Sequence, residues 1–302
     1  MNRIPSGVVL FFEPLSSIRR EAENKLIDLF KDNGYSEIIT PTFVYEDSVS
    51  EFLFEPLKNK LFKMVDKNSG QTMILRADIT LQITQAVLLG DFEFPVRVCY
   101  SQNVYRDIKE YLGKKREFKQ VGVELFGIKD LEADEEVISL AVEGLKRLGF
   151  DNLFVKIGDT SILKELIKRY NLSKDKADRL MFLVNKKNLS DIEKEFDGSL
   201  VDELRLLQNR SGFNQVGEGN LFELSKRISD KFGIDVFCDL FYCEYPIYHH
   251  GIAFEILTED KKLAVGGRYG NITKELGKYI PATGFAINLD EVSCMLFERR
   301  KK

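Results

Sequence analysis

Two arginines, Arg106 and Arg116, flank a polar stretch at 107–115. Facing each other across a hairpin loop, they could clamp phosphate or carboxylate oxygens in a fixed fork. On residue type alone they are equally a pair of solvated surface arginines. A few residues on, Gln120 and Glu124 stand four apart in an alternating run. On a strand both point to one face, with Val121 and Val123 on the other. A Gln and a Glu inside an apolar sheet are costly unless partnered. A ligand carrying an ammonium and an imidazole would supply both partners; the alternative is a sheet face open to water. Asp78 or Thr80, in LRADIT, can cap the helix that follows. His249 and His250 are adjacent. Neighbours on a strand face opposite ways, so the pair cannot easily share one ion, and no metal is expected.

These side chains need strands and capped helices to hold them. Ser16 or Ser17 can cap a helix to about Asp32, with Ile18, Ala22, Leu26, Leu29 and Phe30 on one face and Gly34 as its stop. GYSEIITPTF then reads as a strand ending at Pro41. Segments 61–66 and 71–76 flank KNSG and predict a β-hairpin. A helix follows Asp78 or Thr80. Segments 95–105 and 116–126 alternate as two long strands around the polar loop. A helix at 134–148 and a strand at 153–157 come next. From about 160 to 230, Leu, Ile and Phe recur at helical spacing, which predicts a helical insertion. Strands return at 234–243, 247–257 and 262–265, and a last helix starts near Ala282. The pattern is α+β: a mixed, mostly antiparallel sheet flanked by helices.

The chain has 302 residues, 44% hydrophobic and 30% charged, with 23 Phe and 11 Tyr. That is enough for one large domain with an insertion. A net charge of -4 argues against a surface built to grip nucleic acid. No apolar run approaches the roughly 20 residues of a membrane span. MNRIPSGVVLFFEP reads as mature protein rather than a signal peptide. The four cysteines, at 99, 238, 243 and 294, fit no zinc spacing. Reduced thiols in a cytoplasmic protein are the expectation.

Two longer segments carry a resemblance. YRDIKEYLGKKREFKQVGVELFG (105–127) and GGRYGNITKELGKYIPATGFAINLDE (266–291) resemble motifs 2 and 3 of a class II aminoacyl-tRNA synthetase core, in the histidyl-tRNA synthetase manner. The helix and strand before Pro41 look like motif 1, which builds the homodimer in that family. LRADIT is similar to the family's LRPEGT. YPIYHHGIAFEI aligns with its histidine-specific motif, matching at Tyr248, Gly251, Phe254 and Glu255. The resemblance implies that Asp78, Thr80, Arg116, Gln120, Glu124, Tyr248 and His249 form a histidine pocket, with Arg106 left from a phosphate clamp. Either Arg106 or Arg116 would hold the ligand carboxylate.

At three places the chemistry of activation is missing. Ile108 replaces the residue that reads adenine, and Glu244 and Glu291 stand where the family has arginines. A charge pair at ~4 Å with an effective ε of ~20 is worth about 4 kcal/mol. Reversing one cation removes that attraction and adds a repulsion of similar size. Half of that total is about three powers of ten in rate. Such a core is expected to bind rather than catalyse. Eleven residues follow Glu291, so no anticodon-binding domain is expected.

The whole pattern is therefore similar to the regulatory subunits of ATP phosphoribosyltransferase, the first enzyme of histidine biosynthesis. This resemblance implies a non-catalytic subunit without a cofactor. It implies a short-form catalytic subunit as partner, a homodimer through motif 1 within a larger hetero-oligomer, and L-histidine as effector. tRNA and membranes are not expected partners. The implied division is core at 1–159, insertion at 160–232 and core again at 233–302. The competing expectation is a stand-alone histidyl-tRNA synthetase-like core that still activates an amino acid.

Overall fold

In chain order the elements of the computed structural model are α1 (Leu15–Asp32), β1 (Ser36–Glu37), β2 (Phe43–Tyr45), α2 (Glu55–Lys58), β3 (Lys63–Val65), β4 (Thr72–Leu75), α3 (Thr80–Leu89), β5 (Val96–Tyr105), β6 (Glu117–Phe126), α4 (Leu131–Arg147), β7 (Phe154–Asp159) and α5 (Thr160–Arg169). Then come α6 (Lys174–Asn185), α7 (Leu189–Glu195), α8 (Gly198–Asn209), β8 (Gly212–Phe213), α9 (Asn220–Phe232), β9 (Asp235–Asp239), β10 (Ile252–Thr258), β11 (Lys261–Arg268), α10 (Gly270–Glu275), β12 (Ala282–Asn288) and α11 (Leu289–Arg300). The structure describes residues 4–49, 55–108, 115–215, 217, 219–242, 251–259 and 261–301.

Nine strands form one mixed sheet in the order β1-β5-β6-β12-β11-β10-β7-β9-β8. Its ladders are antiparallel except β1–β5 and β7–β9. The expected α+β architecture holds. A second sheet, β2-β4-β3, sits apart, and its β3–β4 hairpin is the one expected around KNSG.

Alternation along the strands gives the large sheet two different faces. Val121, Val123 and Leu125 of β6, Phe285 and Ile287 of β12, and Val155 and Ile157 of β7 face the main core. Leu26 and Phe30 of α1, Val137 and Ala141 of α4, Leu224 and Ile228 of α9 and Val292 of α11 cover them. Phe30 meets Phe285 edge to face at 5.6 Å. The opposite face carries Tyr100, Gln102, Gln120 and Glu124, and it is floored by small residues. Gly122 lies opposite Tyr100 and Ala286, Gly284 opposite Glu124 and Gly267, and Ala253 opposite Gly267.

Within 160–232 the helices divide. α5–α8 gather round Leu163, Leu180, Leu183, Ile192, Leu200 and Leu204, a core of their own. α9 packs into the main core, and β8 joins the large sheet.

Two sequence expectations need correction. The segment from Ala282 is a strand, and the last helix begins only at Leu289. Its Gly284 and Ala286 lie on the open face, so the period-2 apolar signal rests on Phe285 and Ile287 alone. The stretch to Pro41 is not one strand either. Only Ser36–Glu37 pairs with β5, and Phe43–Tyr45 belongs to the second sheet.

Candidate functional site

LRADIT links the small sheet to α3. After β4 the chain turns, and Asp78 Oδ1 accepts the Leu81 N–H at 3.1 Å, capping the helix. The next polar residue, Thr80, donates its hydroxyl to Glu124 Oε1 at 2.7 Å. Tyr269, just past β11, donates to Glu124 Oε2 at 2.5 Å. Its backbone N–H is held by Ala282 O at 2.9 Å, and its ring stands edge-on to Phe126 at 6.1 Å. Tyr100 lies across from Gly122 on the neighbouring strand. Sequence reasoning passed over Tyr100 and Tyr269. Tyr100 could have been found, since strand pairing sets it on the same face as Glu124.

Glu124 is 1% exposed. Burial pushes its carboxyl up to about 8, and the nearby Asp78 charge pushes the same way, against the Thr80 and Tyr269 hydrogen bonds. Burial also drives the Tyr100 phenol well above its ordinary value. No cation among the described residues forms an ion pair with Glu124. The floor beneath it depends on glycine. A Cβ at Gly284 would overlap Glu124 Oε2 and Val123 O, and one at Gly122 would overlap Phe285 O and crowd Tyr100 Oη.

Gln120 shares this face, two rows from Glu124, opposite Gln102 and Asn288. Its side chain is half-buried and bonds no described residue. Asn288 caps α11 by accepting the Glu291 N–H at 3.2 Å, which puts Glu291 in the first turn of that helix. The structure thus brings Asp78, Thr80 and Glu124 together, with Gln120 on the same face.

Both arginines lie toward the other end of the hairpin. Arg106 Nε donates to Ala77 O at 3.2 Å, and its guanidinium lies 5.2 Å from the Phe118 ring centre. Arg116 Nη2 donates to Asp107 Oδ1 at 2.5 Å, its guanidinium covers Phe62 at 4.6 Å, and its backbone N–H bonds Gly7 O at 2.7 Å. Eight residues of extended strand, roughly 26 Å, separate Arg116 from Glu124. The structure does not bring these two together. Ile108 is half-buried beside Arg106, donating its N–H to Arg106 O at 3.0 Å. Glu244, Tyr248, His249 and His250 lie outside the described residues.

Farther along the open face, Lys156 Nζ sits 3.0 Å from Asp239 Oδ2, 3.9 Å from Glu255 Oε2 and 4.8 Å from the Tyr242 ring centre, while Lys262 pairs with Glu255. This cluster is balanced in charge. No group of acidic, histidine or cysteine side chains suited to a metal ion occurs among the described residues.

Residues 11–292 match the family model described as histidyl-tRNA synthetase. The ATP phosphoribosyltransferase regulatory subunit of Caldanaerobacter subterraneus is 33% identical, over 99% of this chain and 84% of its own length. The chain belongs to this family of regulatory subunits. A member named likewise from a Thermoanaerobacter species is 32% identical over 99% of the chain and 84% of its own length. A solved structure titled as an ATP phosphoribosyltransferase regulatory subunit/histidyl-tRNA synthetase from Bacillus halodurans superposes with a TM-score of 0.84 at 26% identity, covering 98% of this chain and 83% of that one. A histidine–tRNA ligase subunit from Alicyclobacillus acidocaldarius shares the fold, with a TM-score of 0.77 at 20% identity over 100% and 99% of the two chains. As a member of the regulatory-subunit family the chain is a non-catalytic subunit. Among its described residues, no helix is long and apolar enough to cross a membrane.

Proposed function

We propose that this regulatory subunit is required for the activity of a short-form ATP phosphoribosyltransferase catalytic subunit and conveys feedback inhibition by L-histidine. The observation that carries the reading is Glu124: a fully buried carboxyl without a cationic partner among the described residues, hydrogen-bonded by two hydroxyls over a floor of glycine. A histidine ammonium or imidazole is the kind of partner such a carboxyl lacks. Asp78, Thr80 and Gln120 stand on the same side, joined by Tyr100 and Tyr269. Tyr248 and His249 complete the pocket in this reading, and of the two arginines Arg106, bonded to Ala77 O beside Asp78, is the one turned to the ligand carboxylate. Inhibition then follows from linkage: histidine favours one arrangement of the assembly by its differential affinity for it. A homodimer through the motif 1 region accords with Ile39 and Phe43, which are 82% and 55% exposed beside the sheet edge.

Calorimetric titration with histidine, with and without the short catalytic subunit, tests the proposal. The expected result is saturable histidine binding, a transferase rate that requires this chain, and loss of that rate as histidine is added. Amino-acid-dependent ATP–pyrophosphate exchange by this chain would favour the synthetase-like alternative instead. A transferase indifferent to this chain would overturn the proposal.

A further inference from the structure

Arg76 is 7% exposed, and among the described residues its guanidinium meets only neutral oxygens. Nε donates to Asn103 O at 2.6 Å. Nη1 donates to Thr40 O at 2.7 Å and Gln102 Oε1 at 2.6 Å, with Pro41 O at 3.3 Å. No carboxylate among the described residues pairs with it, and burial lowers its pKa. A buried cation without a counter-charge is expensive, and an apolar side chain would fill the space at less cost. Its geometry gives the reason for an arginine. β1 is only two residues long, so beyond Cys99 the outer edge of β5 has no partner strand. The carbonyls at 40, 41 and 103 still need donors, and only a guanidinium fork offers several in fixed directions.

Two glutamines complete the hub. Gln102 Nε2 donates to Ile38 O at 2.9 Å, and its Oε1 lies 2.8 Å from the Thr40 hydroxyl. Gln82, in the first turn of α3, donates to Pro41 O at 3.0 Å, and its Oε1 lies 2.7 Å from the same hydroxyl. Segment 38–41 is thus attached to the body largely by side chains. Those side chains also fix the start of α3, where Thr80 meets Glu124. Arg106 pins the neighbouring Ala77 carbonyl from the other side.

We propose that Arg76 is a positioning residue for the Glu124 site, and that through Gln82 and Gln102 it couples the placement of segment 38–41 to the α3 wall of that site. The inference deepens the histidine reading and rests on it for its ligand. Ile39 leaves the segment open to contact, and a shift there reaches the first turn of α3 through the Gln82 bonds to Pro41 O and Thr40.

The test compares Arg76→Met, Arg76→Lys and the milder Gln82→Leu in the full chain. Each is followed by thermal melting, hydrogen exchange of the first turn of α3, and calorimetry with histidine. A coupling between two sites typically changes affinity by about fivefold to 150-fold. Arg76→Met and Gln82→Leu should therefore lose histidine affinity by that factor and exchange faster at 80–83, with α6 and α7 unchanged. Arg76→Lys should recover part of the affinity. If Arg76→Met does not fold, Gln82→Leu decides alone. Parent-like affinity and exchange in a folded variant would overturn the coupling. If the parent itself binds no histidine, the histidine reading fails, and exchange at 80–83 judges Arg76 independently.

Discussion

The two ends of the β5–β6 hairpin are built from similar polar residues and reach opposite states. Near the loop, the Arg116 charge is paired with Asp107 and stacked on Phe62, with its Nε left without a hydrogen-bond partner among the described residues, and Arg106 lies on Phe118 and Ala77 O. At the closed end, Glu124 is buried, its carboxyl is pushed up to about 8 by that burial, and no cation among the described residues pairs with it. A charge already answered by its neighbours has little left to offer a phosphate. A buried acid answered only by hydroxyls keeps its strongest interaction in reserve for a cationic guest. Ligand recognition therefore concentrates at the closed end, while the loop end holds the chain together.

The sharpest way to break this contrast is Glu124→Gln. The native carboxyl keeps its proton up to about pH 8, whereas the unfolded chain releases it near 4.5. Between those values unfolding releases a proton, so stability falls as pH rises from 4.5 to 8 and is flat outside that window. The full effect is roughly 3–5 kcal/mol. Urea unfolding across this range should show that decline in the parent and its loss in the variant. Parallel curves would remove Glu124 from its special place. The same variant should bind histidine far more weakly.

Next in size, Gly284→Ala should cost about 1–3 kcal/mol by overpacking against Glu124 and the Val123 carbonyl, and should abolish histidine binding. Denaturant midpoints and calorimetry measure both. A neutral outcome would mean that the floor yields. At the loop end, Arg116→Ala should lower stability by about 1 kcal/mol through its lost ring contact and ion pair. It should leave histidine affinity within about threefold. A large loss of affinity there would move recognition toward the loop and reverse the comparison. The smallest effect belongs to Asp107→Asn, a few tenths of a kcal/mol, since Asp107 is exposed.

The parts legible in the sequence were those whose signal is local. The long hairpin was expected at 95–105 and 116–126, and it forms at Val96–Tyr105 and Glu117–Phe126, because alternation and a polar loop suffice to mark it. The α1 face from Ile18 to Phe30 is buried as its spacing required. What escaped notice depends on distant partners. β12 carries too few large apolar residues to betray a strand until β6 and β11 flank it. Segment 38–41 carries strand-forming residues, yet it is tied by Arg76, Gln82 and Gln102 rather than by a ladder. Within the site, Asp78, Thr80, Gln120 and Glu124 were singled out by their types and by resemblance. Tyr100 became legible only through its pairing opposite Gly122, and Tyr269 lay in a glycine turn.

The private core of α5–α8 has a consequence for how the molecule wears. Leu163, Leu180, Leu183 and Leu204 bury one another, and the links to the main body run through Phe241 and through Ile162 and Leu207, which pack against the main core. These four helices can fray or be nicked by a protease while the sheet beneath stays closed. Damage or sequence drift in that quarter is thereby insulated from the strands that cradle Glu124.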